Sequence, residues 1–306
     1  LRLNTSANDN TGIGYQALTH NTTGTDNTAV GRNSLANNTT ANNNTSVGNN
    51  ACGEVTTGSN NVAVGSFALD AVQTSANNTA VGTSALGNNT AANNTAIGNE
   101  ALLANTTGTD NTAVGRQALD AVTTNSSNTE VGSAALTNST GSYNTAVGAD
   151  ALLSNTSANY NIAFGYRALR ANTTGLYNVA IGTEALETCT TSNNMVAVGF
   201  RALEENTSGS SNTAVGGFAL DDNTTGFYNV GVGTEVLSAN TTGVQNTALG
   251  TFVLSGNTTA NNNTGVGFKA SFANTTGINN TAVGSLALQL ATTGGANTAV
   301  GFHALG

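Results

Sequence analysis

The sequence predicts an all-β fold: a parallel β-solenoid (β-roll) of 18 coils, about 17 residues per coil, with two short strands in each. Three observations carry this expectation. A unit of the type Asn-Thr-Ala-Val-Gly, as at Asn111–Gly115, recurs along the whole chain. Its glycine returns from Gly14 to Gly301 with fifteen of seventeen spacings at 17 residues and two at 16. The residues inside the unit are β-branched, and nothing apolar recurs at i, i+3 and i+4, so the period is not helical.

The coils are numbered one to eighteen by that glycine. The consensus reads Asn-Thr-Ala-Val-Gly-x-x-Ala-Leu-x-x-Asn-Thr-Thr-Gly-x-x, and each column has a physical reading. The position four before the glycine is Asn in seventeen copies, with Met195 the exception. Identical Asn side chains at strand spacing can bond up the array as a ladder. The next position is Thr in thirteen copies and Val or Ile in the others, which is strand preference. The residue before the glycine is always apolar, and four after it comes Leu in sixteen copies, with Cys52 and Ser271 the departures. These Val and Leu columns are the expected core, and the fixed glycine marks a positive φ or a close backbone approach. The Asn-Thr-Thr-Gly stretch, as at Asn21–Gly24, is turn chemistry. Both short copies lose their residue there, at Asn88–Asn93 and Asn138–Tyr143, which places a second corner.

Two Ala columns flank the glycine. If Val and Leu point inward, strand alternation turns these alanines outward. A solvated position held to Ala points to a close interface with another chain, which nominates Ala29, Ala63, Ala80, Ala113, Ala146 and Ala163 as interface residues.

Composition bounds the rest. Only 8% of residues are charged and 38% are hydrophobic, too little apolar material for ordinary domains but enough for coils that bury their edges against one another. The net charge of −9 with seven basic residues leaves no stripe to neutralise phosphates, so nucleic acid is not an expected partner. No apolar run approaches the roughly 18 residues that span a bilayer, so membrane insertion is not expected. Cys52 and Cys189 lie in coils three and eleven, about 38 Å apart at strand spacing, too far for a bond between them. The chain reads as one continuous domain, 1–306, without capping elements. Bare ends of that kind suggest a stretch of a longer array, or end-to-end stacking of copies.

The Asn111–Gly115 unit with Ala118-Leu119 resembles the head repeats of trimeric autotransporter adhesins. It is similar as well to the N-T-A-x-G-x-x-A-L arrays of phage-type and bacterial tail-fibre or adhesin-like surface proteins. The resemblance covers the whole chain and implies a β-roll, often three chains side by side, on a cell-surface or virion fibre. The 17-residue period is longer than the adhesin-head unit, and no coiled-coil stalk, anchor or self-cleaving chaperone domain accompanies it. Anchoring and self-cleavage are therefore not carried over, and trimerisation is an expectation.

Candidates for chemistry are few. Arg167, Glu184 and Arg201 form an alternating ladder two after the glycine. One after the Leu column run Arg170, Glu187, Glu204 and Asp221, with Glu205 and Asp222 beside the last two. Glu187, Glu204, Glu205, Asp221 and Asp222 are the candidate Ca²⁺ ligands, set against a solvated acidic patch beside ion pairs of little worth. The same cluster is the one place for paired glycosidase carboxylates, on a corner read as lacking an aromatic platform in its columns. Tyr143, Tyr160 and Tyr177 occupy successive coils as an aromatic ladder, and His20 and His303 stand seventeen coils apart, so no triad or metal cluster forms from them. Sequons recur at Asn21, Asn38, Asn105, Asn155, Asn172, Asn206, Asn223, Asn240, Asn257 and Asn274, either as glycan acceptors or as turn chemistry that spells them.

The expectation for function is a non-enzymatic, extracellular or surface-located structural module of a fibre, filament or adhesin, without cofactor unless Ca²⁺ binds. Its partners are copies of itself, as a lateral trimer or an end-to-end filament, and surface glycans are a further candidate. The alternative is a carbohydrate- or ice-binding surface on the solenoid.

Overall fold

The computed structural model of the chain describes residues 3–133, 135–136 and 140–306, so Leu1 and the loop residues Asn138 and Ser139 of the second short copy lie outside the described residues. The chain divides into two compact units, Leu1–Val147 and Gly148–Gly306, each a stack of coils. Among the described residues the first unit contains nine three-residue strands, from Thr11–Ile13 to Thr145–Val147, and the second nine more, from Ile162–Phe164 to Thr298–Val300. Within each unit, each strand pairs in parallel with that of the next coil and like residues face like: Thr28 with Thr45 and Val30 with Val47 in the first, Val215 with Val232 in the second. No helix occurs among the described residues. The fold is an all-β parallel solenoid.

Among the described residues each coil has one strand, not the two expected. The Ala-Leu segment expected to form the second strand alternates in hand: in coil two Asn33 has φ 56° and Leu35 φ 48°, and in coil thirteen Phe218 has φ 56° and Leu220 φ 55°. The two left-handed residues send their N–H groups to opposite neighbours, while the Ala between them bonds within its own coil, as Ala68 N–H does to Gly65 O (3.4 Å). Asn33 N–H donates back to Tyr15 O (2.8 Å), while Leu35 N–H donates forward to Ala51 O (3.1 Å). The coils are therefore hydrogen-bonded along this side too, without extended backbone. A left-handed L-residue costs about 1–2 kcal/mol, whereas burying a Leu side chain contributes about 1.5–3 kcal/mol. Leu18, Leu35, Leu69 and their successors are fully buried, so the burial holds the strained backbone.

The Ala columns point inward, opposite to the expected phase. Ala29, Ala63, Ala80, Ala113, Ala146 and Ala163 are fully buried and cannot form an interface. Strand alternation holds, but Thr and Val take the outer face. The coil is so thin that a methyl group fills the space between strand and Leu segment: a Cβ added at Gly12 would sit 3.7 Å from Leu18 Cδ1 and 3.9 Å from Ala17 Cβ, ordinary contact. Two departures from Ala come compensated. Where Val236 replaces Ala in the other Ala column, Gly231 replaces the strand Ala, and a Cβ there would lie 2.9 Å from Val236 Cγ2. Ser34 and Ser46 are exchanged for alanines together and bond at 2.7 Å inside the core.

Two buried Asn ladders close the coil. In the strand-side column, Asn44 N–H donates to Asn27 Oδ1 (3.0 Å), and Asn27 Nδ2 donates to Ala41 O at the corner that closes its own coil (2.8 Å). Met195 breaks the chemistry without breaking the ladder, since Asn212 N–H donates to its Sδ at 3.4 Å. In the corner column, Asn223 Nδ2 donates to Asn206 Oδ1 (2.7 Å), and Asn240 Nδ2 donates to Asn223 Oδ1 (2.8 Å). This ladder is interrupted at Val55, Val72, Val122, Cys189 and Ala291, and the coils before Val122 and Ala291 leave Asn105 Oδ1 and Asn274 Oδ1 buried without a partner. Cys52 and Cys189 are buried free thiols standing in for a Leu and an Asn.

Candidate functional site

The sequons coincide with the corner ladder. Asn21, Asn38, Asn105, Asn155, Asn172, Asn206, Asn223, Asn240, Asn257 and Asn274 are all fully buried. Their amides are engaged inside the array, as in Asn172 Nδ2 donating to Gly175 O at 3.1 Å. The folded corner has no room for a glycan on these atoms, and the spelling is turn chemistry.

The charged cluster of coils ten to thirteen is an ion-pair lattice. Glu187 lies 3.7 Å from Arg167 and 3.6 Å from Arg170, Arg201 lies 3.8 Å from Glu184, and Arg201 also pairs closely with Glu204. Glu184, Glu187 and Glu204 bring one carboxylate oxygen each within 4.8 Å of one another. Of the five sequence candidates only Glu187 and Glu204 join that group. Glu205 and Asp222 are exposed, and Asp221 is half-buried beside a groove. The guanidinium groups already supply the positive charge that converging carboxylates require.

Outward columns carry features that the inverted phase hid. On the strand face Thr and Val stand side by side, as at Thr79 and Val81. In coil ten four outward residues follow in alternation, Tyr160, Ile162, Phe164 and Tyr166, each between 42% and 54% exposed. Coil eleven adds Tyr177, Val179 and Ile181, and coil twelve Val196, Val198 and Phe200. The result is a contiguous apolar face, since Thr is replaced by Ile162, Val179 and Val196 in three successive coils, whereas Val62 and Val230 stand singly. Tyr160 and Tyr177 stack at 5.2 Å and 7°, with φ 59° and 60° in a column otherwise filled mainly by Asn, Asp and Ser. Bulky residues rarely take that conformation.

The corner face, made by the columns two, five and six after the glycine, carries two indentations. One, in the first unit, is lined by polar groups including Gln16, His20, Asn33, Asn50 and Asp70. The other is a groove in coils thirteen to sixteen, in two adjoining parts that share Glu235 and Ser238. Phe218, Phe252 and Phe272 line it, so the corner does have aromatic residues in its columns. Asp221 is pushed up to about 6 by burial and by Asp222 beside it, and one of its oxygens is buried without a partner. The repeat pattern gave no signal for these residues, because the groove lies in the columns that vary from coil to coil.

Glu130 stands alone in the first unit. It occupies the inward Ala column of coil eight, is fully buried, and accepts a bond from Leu119 N–H at 2.6 Å while its other oxygen has no partner. Burial pushes its carboxyl up to about 9. His20 Nδ1 lies 2.9 Å from Ala36 O and joins no nucleophile. No family model matches the sequence, and no curated protein is similar to it.

Proposed function

We propose that the chain is a non-catalytic structural repeat module of an extracellular fibre, filament or adhesin, a rod segment that associates side by side with copies of itself. The observation that carries this reading is the apolar sheet face of coils ten to twelve. Its aromatic rings bring about 150–250 Å² each, and exposed patches beyond a few hundred Å² mark interaction sites. Two such faces share one pitch, that of strand stacking, so the side-chain rows of one fit the furrows of the other. The resemblance to adhesin-head and tail-fibre repeats agrees with a surface location and with lateral packing of chains. The paired carboxylates of the ion lattice give no reason to invoke Ca²⁺.

Sedimentation velocity across a hundredfold concentration range, with negative-stain microscopy, tests the reading. Assemblies should grow with concentration, and Phe164→Lys with Ile181→Lys should return them to monomer. A wild-type chain that stays monomeric throughout overturns it. A second reading, an ice-binding surface, is favoured by the Thr and Val rows that share the outer face, as at Thr79 and Val81. Its test is inhibition of ice recrystallisation by the monomer, lost on Thr79→Lys.

A further inference from the structure

The groove in coils thirteen to sixteen lies on the corner, away from the sheet face, and its lining mixes three kinds of group. Phe252 and Phe272 form apolar walls; Ser238, Ser255 and Gly256 leave an open floor; Glu235 and Lys269 supply charge. The adjoining part adds Phe218, Asp221 and Asp222. The wider part encloses about 490 Å³, within the range of small-molecule sites.

We propose that this groove binds a neutral carbohydrate, a short stretch of an uncharged pyranose chain. Aromatic walls take the C–H faces of sugar rings, and carboxylates and hydroxyls accept and donate to their hydroxyl groups. Phe218 and Phe252 occupy the same column two coils apart, about 10 Å at strand spacing, the span of a disaccharide. Small residues make the floor, because the column with Ser238 and Ser255 carries Glu204 and Asp221 before them and Phe272 after.

Charge selects the class. Asp221, Asp222 and Glu235 at one end repel an anionic polymer, as does the net charge of −9. A cationic ligand meets Lys269 at the other end, where the ammonium lies 5.7 Å from the Phe252 ring, 5.5 Å from Phe268 and 5.0 Å from Phe272 and repels a second positive charge. A neutral, hydroxyl-rich chain suits both ends. The raised carboxyl of Asp221 adds a group that both donates and accepts near pH 6.

Affinity electrophoresis of the full chain through gels containing laminarin, dextran, alginate or chitosan oligomers tests the assignment. Retardation by laminarin or dextran, and not by alginate or chitosan, is expected. Phe252→Ala with Phe272→Ala should weaken it at least tenfold, and Glu235→Gln, which leaves packing intact, at least threefold. Phe67→Ala in the first unit should leave it unchanged, and Phe164→Lys with Ile181→Lys should give monomers that are still retarded, which separates this groove from lateral association. No retardation by either neutral polymer, retardation by a charged polymer alone, or equal binding by Glu235→Gln and the wild type overturns the proposal.

Discussion

Glu130 shows what one side chain does to a core only a methyl deep. Its neighbours in the column are Ala113 and Ala146, with Ala118 and Ala135 across the coil, and none of the four is a glycine that would make room for it. Its carboxyl rises from 4.5 to about 9, chiefly from burial, with the charge of Asp120 adding and the Leu119 N–H opposing. The folded state thus keeps a proton that the unfolded state releases above the ordinary value. Stability from this group is full below about pH 4.5 and falls as pH rises to about 9, by about 3 kcal/mol at pH 7. Glu130→Ala should remove that slope and raise the thermal midpoint at pH 8 more than at pH 5. Comparing variant with wild type isolates Glu130 from Asp221, whose raised carboxyl slopes the same way below pH 6. Equal midpoint shifts at both pH values would contradict the assignment. The corner ladder makes the opposite case. Asn223→Val removes two amide links and strands Asn206 Oδ1, so it should cost roughly 2–4 kcal/mol in urea unfolding. A cost within error would show that the ladder is incidental.

At the scale of the coil, the repeated glycine is fixed twice, by conformation and by space. Gly31 has φ 137°, and a Cβ on it would collide with the Gly48 carbonyl. Gly31→Ala should therefore cost roughly 3 kcal/mol or more, while Gly217→Ala, with nothing within 4 Å of the added carbon, should stay within about 0.5 kcal/mol. Urea unfolding followed by far-ultraviolet circular dichroism reads both. This part of the fold was legible because only a special φ or a close backbone approach demands glycine at a fixed spacing. The strand-side ladder was legible for a similar reason, since an Asn column that tolerates only Met195 needs its amides in every coil. The hand of the Ala-Leu segment was not legible. A left-handed backbone announces itself through Gly or Asn, and in these coils Leu occupies it, held by burial. The phase of the strand was lost for a related reason: Val is the more apolar residue, but the coil is too thin to take it. With the phase inverted, the outward residues are Phe164 and Ile181 rather than Ala29 and Ala163, and the groove around Phe252 lay in columns that carry no consensus.

Across the molecule, each strand contacts only the strands of the coils before and after it within its unit. Such an array approximates a one-dimensional chain of intrinsic and nearest-neighbour terms, so a local lesion should stay local. Coil twelve offers a test inside the second unit. Gly199 has φ 143°, and a Cβ there would strike the Gly216 carbonyl, so Gly199→Ala strains one coil and its next neighbour. Native-state hydrogen exchange should show faster opening of the amides of coils eleven to thirteen, among them Val196, Val198 and Val215. Protection at Val266, Val283 and Leu286, in coils sixteen and seventeen, should be unchanged. The unfolding transition should broaden as well, since coils that open in segments do not share one midpoint. If protection falls equally at Val198 and Val283, the second unit opens as one body. Nearest-neighbour coupling would then be strong enough to carry strain across at least five coils, and the unit would fail along its whole length rather than at its weakest coil.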